Sequence, residues 1–554
     1  MNATELLDRL DQWKGRFGSP GVTGLEQLLS TIATERFGDA ASLIRLHETL
    51  LFLRAYPPSL KAAKLADAIL FAFAKRVAGL QAAGESVDDF EAPEISGIAG
   101  TSLAAVFDYE VARTLASRYP RSVEIAWDRY DDSEKLGFGM PRFTPLLDED
   151  WPVEAHAPFR KWVDAMRPAG SSGLAWLLAG VETLPVSERE RATLYNSFSV
   201  PVLWRIGNLE NSRSHLRLPG SKLFLHQEPL LRRSDVSLVR ELDGPPLPVK
   251  KLPRSEAREI LNLILDTSAM RFRELYGFSH PEESGIFRAE LGRGVELFFG
   301  GVPPSWRLPL RAYHAGMFFK NGVPAGYVEL LSLFERAEVG FNLYYTFREG
   351  ESAWIYARIL RLFRQVLGVT CFSVDPYQIG HENPEAVESG AFWFYRKLGF
   401  RPSDPSVARL VEREELRMRQ TPGYRSSRAS LEKLAEGYLL YSSSADEGRR
   451  WDRFRVRNVG LAVAREISSR FRGDPDAMRN AAAASLHRTP GVQSSSQLAL
   501  VLSLFGDLPK WSAAEKAAAV KILRAKEKGS EAEYLRLMQR HPKMRAAFLT
   551  LGCE

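Results

Sequence analysis

Cysteine is scarce in this chain: Cys371 and Cys553 are the only two in 554 residues. Two thiols cannot build a disulfide framework or a cysteine-rich zinc site. Charge of one sign is not in excess either. Lys plus Arg is 74 and Asp plus Glu is 68, a net charge of +6. That is too dilute for the concentrated basic face of a nucleic-acid binder, so no nucleic-acid partner is expected. Long apolar runs are missing. The best, Gly173 to Val181, stops far short of the ~18 residues of a membrane span. The N-terminus, Met-Asn-Ala-Thr-Glu-Leu-Leu-Asp-Arg, carries acids where a signal peptide needs a basic and then an apolar stretch. A soluble, cytoplasmic protein with no membrane partner is the expectation. There is no GxxxxGK[ST], no Gly-rich dinucleotide fingerprint, no HExxH and no nucleophile elbow, and no metal is expected.

What remains is an ordinary globular balance, 45% apolar and 26% charged, which excludes wholesale disorder. At ~100–200 residues per domain the length predicts three or four domains. Residues 1 to 242 read as a mainly helical domain. Leu43 to Leu53 and Leu60 to Phe73 repeat apolar residues at three- and four-residue spacing, with Pro57-Pro58 between them. Asp243-Gly244-Pro245-Pro246-Leu247-Pro248 cannot continue a helix and marks a boundary. Ser255 is placed to cap a following helix through Ile260, Leu261, Ile264 and Leu265.

The period changes between 310 and 402. Tyr313 to Phe319 and Ala325 to Leu333 read as strands joined by the hairpin signal Lys320-Asn321-Gly322. Glu338 to Phe347 reads as a third strand. Trp354, Ile355, Ile359, Leu362, Phe363, Val366 and Leu367 trace one face of a helix that Gly368 ends. Thr370 to Val374 is a short buried strand, which makes Cys371 a packing residue, and Pro384 to Leu398 is a second helix. This is a mixed α/β unit. Residues 403 to 554 read as a helical C-terminal region, with Gly529 and Pro542 interrupting good helix formers. Within it, Arg449-Arg450-Trp451-Asp452-Arg453-Phe454-Arg455-Val456-Arg457 is read as a solvated helix face, with a phosphate-binding surface as the sharper alternative. Ser442-Ser443-Ser444 and Ser494-Ser495-Ser496 read as loops.

One local signature carries a family likeness. Ala391-Phe392-Trp393-Phe394-Tyr395-Arg396-Lys397-Leu398-Gly399-Phe400, with the order of elements before it, resembles the GNAT superfamily of acyl-CoA-dependent N-acyltransferases. With Leu247–Lys251 taken as a first strand, the resemblance covers roughly 245 to 402. It implies a multidomain α plus α/β chain in which a GNAT-like domain, 243–402, lies between all-helical N- and C-terminal regions.

The resemblance also implies a site. Acetyl-CoA or another acyl-CoA would be the co-substrate, its diphosphate held by backbone amides at a helix N-terminus. The loop matching the family's is Arg348-Glu349-Gly350-Glu351-Ser352-Ala353. Arg348, Gly350, Ser352 and Ala353 would serve the diphosphate, while backbone amides of Leu343, Tyr344 and Tyr345 would polarise the acyl carbonyl. Glu351 stands where the family has glycine. A carboxylate ~4 Å from a phosphate costs ~4 kcal/mol at an effective dielectric of ~20, more than the ~0.3–2 kcal/mol a helix end returns. Either Glu351 points outward, with Gly350 supplying the flexibility one residue early, or CoA binds weakly or not at all. Glu338 is the candidate base, with Glu329 as the other choice. Tyr395 is the candidate acid for the leaving thiolate. Each has a plain alternative: surface glutamates, and a core tyrosine among Phe392, Trp393 and Phe394. Glu388 replaces an asparagine common in the family, Asn383 lies upstream, and His381 sits in an inserted loop.

Three functions stay open. The first is acyl transfer, of acetyl in the first instance, from acyl-CoA to an unidentified small-molecule or peptide amine. The second is a degenerate, non-catalytic interaction or scaffold module, with a protein partner on the helical flanks. The third is transfer from another activated donor such as aminoacyl-tRNA.

Overall fold

Two-residue turns and short strands set the architecture of the computed structural model, which describes residues 2–145, 158–272, 275–443, 449–486 and 497–553. In chain order the strands are β1 (Ser102–Val106), β2 (Val123–Ile125), β3 (Pro201–Arg205), β4 (Val249–Lys251), β5 (Phe287–Gly292), β6 (Val295–Gly300), β7 (Ala312–Lys320), β8 (Val323–Leu333), β9 (Arg336–Leu343), β10 (Cys371–Val374), β11 (Arg401–Pro402) and β12 (Leu439–Ser442). The first three form a small antiparallel sheet of order β1-β3-β2. The other nine form a mixed sheet of order β11-β12-β10-β9-β8-β7-β6-β5-β4, in which only β9 and β10 run parallel.

The Asn321-Gly322 turn behaves as its sequence predicts. Both residues have positive φ, 50° and 78°, as a two-residue hairpin of the twist-matched type requires. The turn is buried, however. Asn321 Nδ2 donates to the carbonyls of Ala55 (2.8 Å) and Phe224 (3.0 Å), and its Oδ1 accepts from the Phe224 amide at 2.7 Å. The helix Ser352–Leu367 also matches, ending at Gly368 with φ 70°.

Several expectations are corrected. The flanks are not all-helical: β1, β2 and β3 lie in the N-terminal region and β12 in the C-terminal one. β12 inserts between β10 and β11, so the central sheet runs past residue 402. Leu247–Lys251 does contain a strand, β4, but the unanticipated hairpin of β5 and β6 separates it from β7 and leaves it at the far edge. Its turn residues, Arg293 and Gly294, have φ of 50° and 73°, a signal visible in the sequence as Gly292-Arg293-Gly294. The span Pro384 to Leu398 is two helices, Pro384–Ser389 and Ala391–Lys397, because Gly390 turns left-handed at φ 67°. Further, the helix Arg254–Ala269 starts on Pro253 without a side-chain cap from Ser255, and β9 begins at Arg336 and stops at Leu343. Of the serine runs, Ser442 closes β12, while Ser444 and Ser494-Ser495-Ser496 lie outside the described residues.

The core crosses the expected divisions. Leu50, Leu53 and Tyr56 from the helices before β1 share one apolar cluster with Phe318 and Val328 of the sheet, Ile355, and Phe548 near the C-terminus. The helix Ala40–Ala55 is buried continuously from Leu46 to Ala55, so it is a core helix and not a surface stripe. No helix among the described residues is long and apolar enough to cross a membrane.

Candidate functional site

The parallel pair at the centre of the sheet parts early. β9 and β10 are in register from Arg336↔Cys371 to Glu338↔Ser373. β10 then ends at Val374, whereas β9 continues to Leu343. On its other side β9 stays paired with β8, and the Tyr344 amide donates to the Ala325 carbonyl at 3.0 Å. Antiparallel bonding alternates, so Asn342 and Gly340 also direct their amides to β8. Phe341 and Leu343 therefore direct theirs to the side that β10 has vacated.

A cavity of about 260 Å³ occupies that gap, with Phe341, Asn342, Leu343, Arg348, Ser352 and Tyr395 in its wall. The helix Ser352–Leu367 begins at its rim. The Glu351 amide donates to the Tyr56 hydroxyl at 3.4 Å, but the N-cap side chain makes no capping bond, which leaves the amides of Ser352, Ala353 and Trp354 for an anion.

Glu351 turns away from the cavity. It is 0% exposed, and its Oε1 accepts from Arg293 Nη2 at 2.6 Å, Arg293 Nε at 2.8 Å and the Leu231 amide at 3.2 Å. Its Oε2 faces Lys320 Nζ at 3.5 Å. Burial lowers the Lys320 ammonium to about 7, although Glu351 opposes the shift. Gly350 has no room for a side chain, because a Cβ there would strike the Tyr56 phenol. Glycine is thus needed one residue before the family's position, and for packing.

Arg348 is exposed at the cavity rim and pairs with Glu385 on the facing helix. Tyr395 is buried, with its ring edge-on to those of Tyr356 and Phe400. Burial alone raises its phenol above the ordinary tyrosine range, so it holds its proton at neutral pH. It is both a core tyrosine and a cavity-wall residue. Ala353 is buried in the first helical turn. Tyr344 and Tyr345 do not join the wall. The Tyr344 ring lies 3.8 Å under the Arg271 guanidinium, and burial, then Glu48, raises the Tyr345 phenol.

Glu338 stands at the apex of the gap, on the last paired residue of β9. It faces Arg311 at 3.3 Å and lines a larger cavity, about 510 Å³, on the other side of the apex. Glu329 lies on the same sheet face, two strand positions along, and accepts a bond from the Tyr313 hydroxyl. Burial raises its carboxyl above the ordinary range. The larger cavity has no counterpart in the sequence reading. Its walls join Arg311 and Arg336 to Asp375, Tyr438 and Trp451. The basic-aromatic run supplies part of it: Trp451 is 0% exposed, which corrects the solvated-face expectation at that residue.

Other singled-out residues lie elsewhere. His381 and Glu388 are exposed and outside both cavity walls. Asn383 caps the helix Pro384–Ser389 through the Ala386 amide at 3.2 Å and also lines the smaller cavity. Cys371 is buried, which pushes its thiol up to about 12. His47 sits between Glu48 (3.0 Å) and Ser214 Oγ (2.9 Å), the spacing of a nucleophile triad. All three are buried, Ser214 Oγ accepts the Ala99 amide, and Arg213 holds Glu48 through two bonds of 2.8 Å, so this group is a structural tie. Among the described residues no group of three or more His, Cys, Asp or Glu is placed to hold a metal ion.

No family model, no curated protein and no solved structure matches this chain.

Proposed function

We propose that the protein is an N-acyltransferase that moves an acyl group, acetyl in the first instance, from acyl-CoA to an amine. The carrying observation is the gap between β9 and β10, with an uncapped helix N-terminus at its rim and Glu351 turned out of it. The resemblance of residues 391–400 to the GNAT signature supports the same reading. The repulsion expected between Glu351 and a diphosphate does not arise, because Arg293 and Lys320 take that carboxylate.

In this reading the first-turn amides of the helix and Arg348 bind the diphosphate, Arg348 exchanging Glu385 for it. The amides of Phe341 and Leu343 polarise the thioester carbonyl. A lysine-like amine costs roughly 4–5 kcal/mol to deprotonate at pH 7. Glu338, at the apex, takes that proton directly or through water. The amine nitrogen bonds to the carbonyl carbon, the carbon–sulfur bond breaks, Tyr395 gives its proton to the departing sulfur, and the second proton shed by the nitrogen as it becomes an amide restores the Tyr395 phenol.

Thermal unfolding of the full chain with millimolar acetyl-CoA tests this. Ligand at 100 times its Kd adds ~2.7 kcal/mol, a clear rise in Tm. No shift with acetyl-, succinyl- or longer acyl-CoA would remove the proposal. The ion pair of Arg348 with Glu385 favours a second reading, a non-catalytic module whose diphosphate residue is already occupied. Under that reading Glu385→Ala creates CoA binding where none existed.

A further inference from the structure

The 510 Å³ cavity beyond Glu338 is unevenly neutralised. Two of its acids have partners: Glu338 faces Arg311, and Asp375 accepts the Tyr377 amide at 2.9 Å while bonding the Tyr438 phenol; the third, Glu436, stands exposed at the wall. Of its four guanidinium groups only that of Arg311 has an acidic partner among the described residues; those of Arg336, Arg455 and Arg457 have none. Arg336 is 7% exposed, yet its bonds go to Ser373 Oγ (3.0 Å) and the Phe454 carbonyl (3.4 Å), with the Tyr438 and Trp451 rings alongside. No Asp or Glu lies within ion-pair distance of it among the described residues. Among the described residues the Arg455 guanidinium bonds only the Asp452 and Phe454 carbonyls, and it stacks on Tyr438. Arg457 stands exposed at the same wall.

An unpaired buried guanidinium is costly, and its planar fork fits a carboxylate or phosphate. Arg336 and Glu338 are two residues apart on one strand, so they share a face with Cα atoms ~6.6 Å apart. A single small molecule can span both. The volume, with aromatic walls from Tyr438 and Trp451, is that of a small-ligand site and not of a flat protein interface.

We propose that this cavity binds the acceptor as an amine that also carries an anionic group, a carboxylate or a phosphate, with the anion on Arg336, Arg455 and Arg457 and the amine at Glu338. This rests on the acyltransferase reading for the fate of the amine, though not for the binding itself. Burial holds the Arg336 guanidinium below its ordinary range, and a ligand anion would reverse that shift.

Isothermal titration of the full chain without CoA tests the proposal. The probes are glycyl-aspartate and O-phosphoethanolamine, against putrescine, which is cationic only. At least one anionic amine should bind ten-fold or more tighter than putrescine, and which one does separates carboxylate from phosphate. Arg336→Lys keeps the charge without the fork, and Arg457→Gln lies at the exposed wall; each should weaken that binding about ten-fold or more. Equal affinity for putrescine, no binding by either anionic amine, or native affinity in both variants overturns it. Anionic-amine binding together with no acetyl-CoA shift would overturn the acyltransferase reading and leave this site standing.

Discussion

Arg293, in the turn between β5 and β6, grips Glu351 at the start of the helix Ser352–Leu367 through two nitrogens at 2.6 and 2.8 Å. This pair decides the character of the candidate donor site. It draws a carboxylate out of the gap where a diphosphate would lie, and it fixes the helix N-terminus to the hairpin 58 residues earlier.

Removing one partner of a buried pair strands the other charge. Glu351→Gln should therefore destabilise the protein by about 3–5 kcal/mol in urea unfolding. Its acetyl-CoA affinity, measured below the unfolding transition, should stay within about three-fold of native. A large gain in affinity would mean that the carboxylate does face the ligand.

Lys320 gives the pH dependence a sign. Its folded value, about 7, lies below the ordinary 10.5, so across that window the unfolded chain binds more protons. Stability contributed by this site is least below pH 7 and rises with pH up to about 10.5. Glu351, Arg293, His226 and Tyr56 surround the ammonium, and they remain in Lys320→Met. The unfolding free energy of the native protein relative to Lys320→Met should rise between pH 7 and 9. A flat difference would show that the ammonium stays charged.

Tyr395→Phe removes one oxygen from a packed ring. Tm should change little, while kcat with acetyl-CoA falls about 100-fold or more, the ordinary worth of a positioned acid. Little change in KM is expected, because the hydroxyl acts on the departing sulfur and not on ground-state binding. Unchanged kcat would leave Tyr395 as a packing residue only.

Glu338→Gln separates the two carboxylate candidates. It should lower kcat/KM about 100-fold at pH 7. Glu329→Gln should leave kcat/KM within a few-fold of native, since its carboxyl is bound to Tyr313 and lines neither cavity. The reverse pattern would move the base to β8.

The elements most legible in the sequence are those with local causes. Asn321-Gly322 forces a hairpin because both residues tolerate positive φ. The apolar face from Trp354 to Leu367 and the stop at Gly368 define a helix by spacing and backbone freedom alone. By the same logic Gly390 carried a break that the apolar run around it concealed. β6 was obscured because it is buried on both faces, which erases the alternation that marks a strand.

By itself, then, the sequence determined the hairpin at Asn321-Gly322, the helix from Trp354 to its stop at Gly368, the buried placement of Cys371, and the shortage of cysteine and of one-signed charge. Those depend on side chains a few residues apart. Only the tertiary structure decided where Glu351 points, that Trp451 walls a cavity, and that β12 enters the sheet from beyond residue 402. Glu351 meets Lys320 from 31 positions away, and Arg336 meets Phe454 from 118. Coulombic and packing partners are chosen by distance in space, and spacing along the chain carries almost no record of that choice.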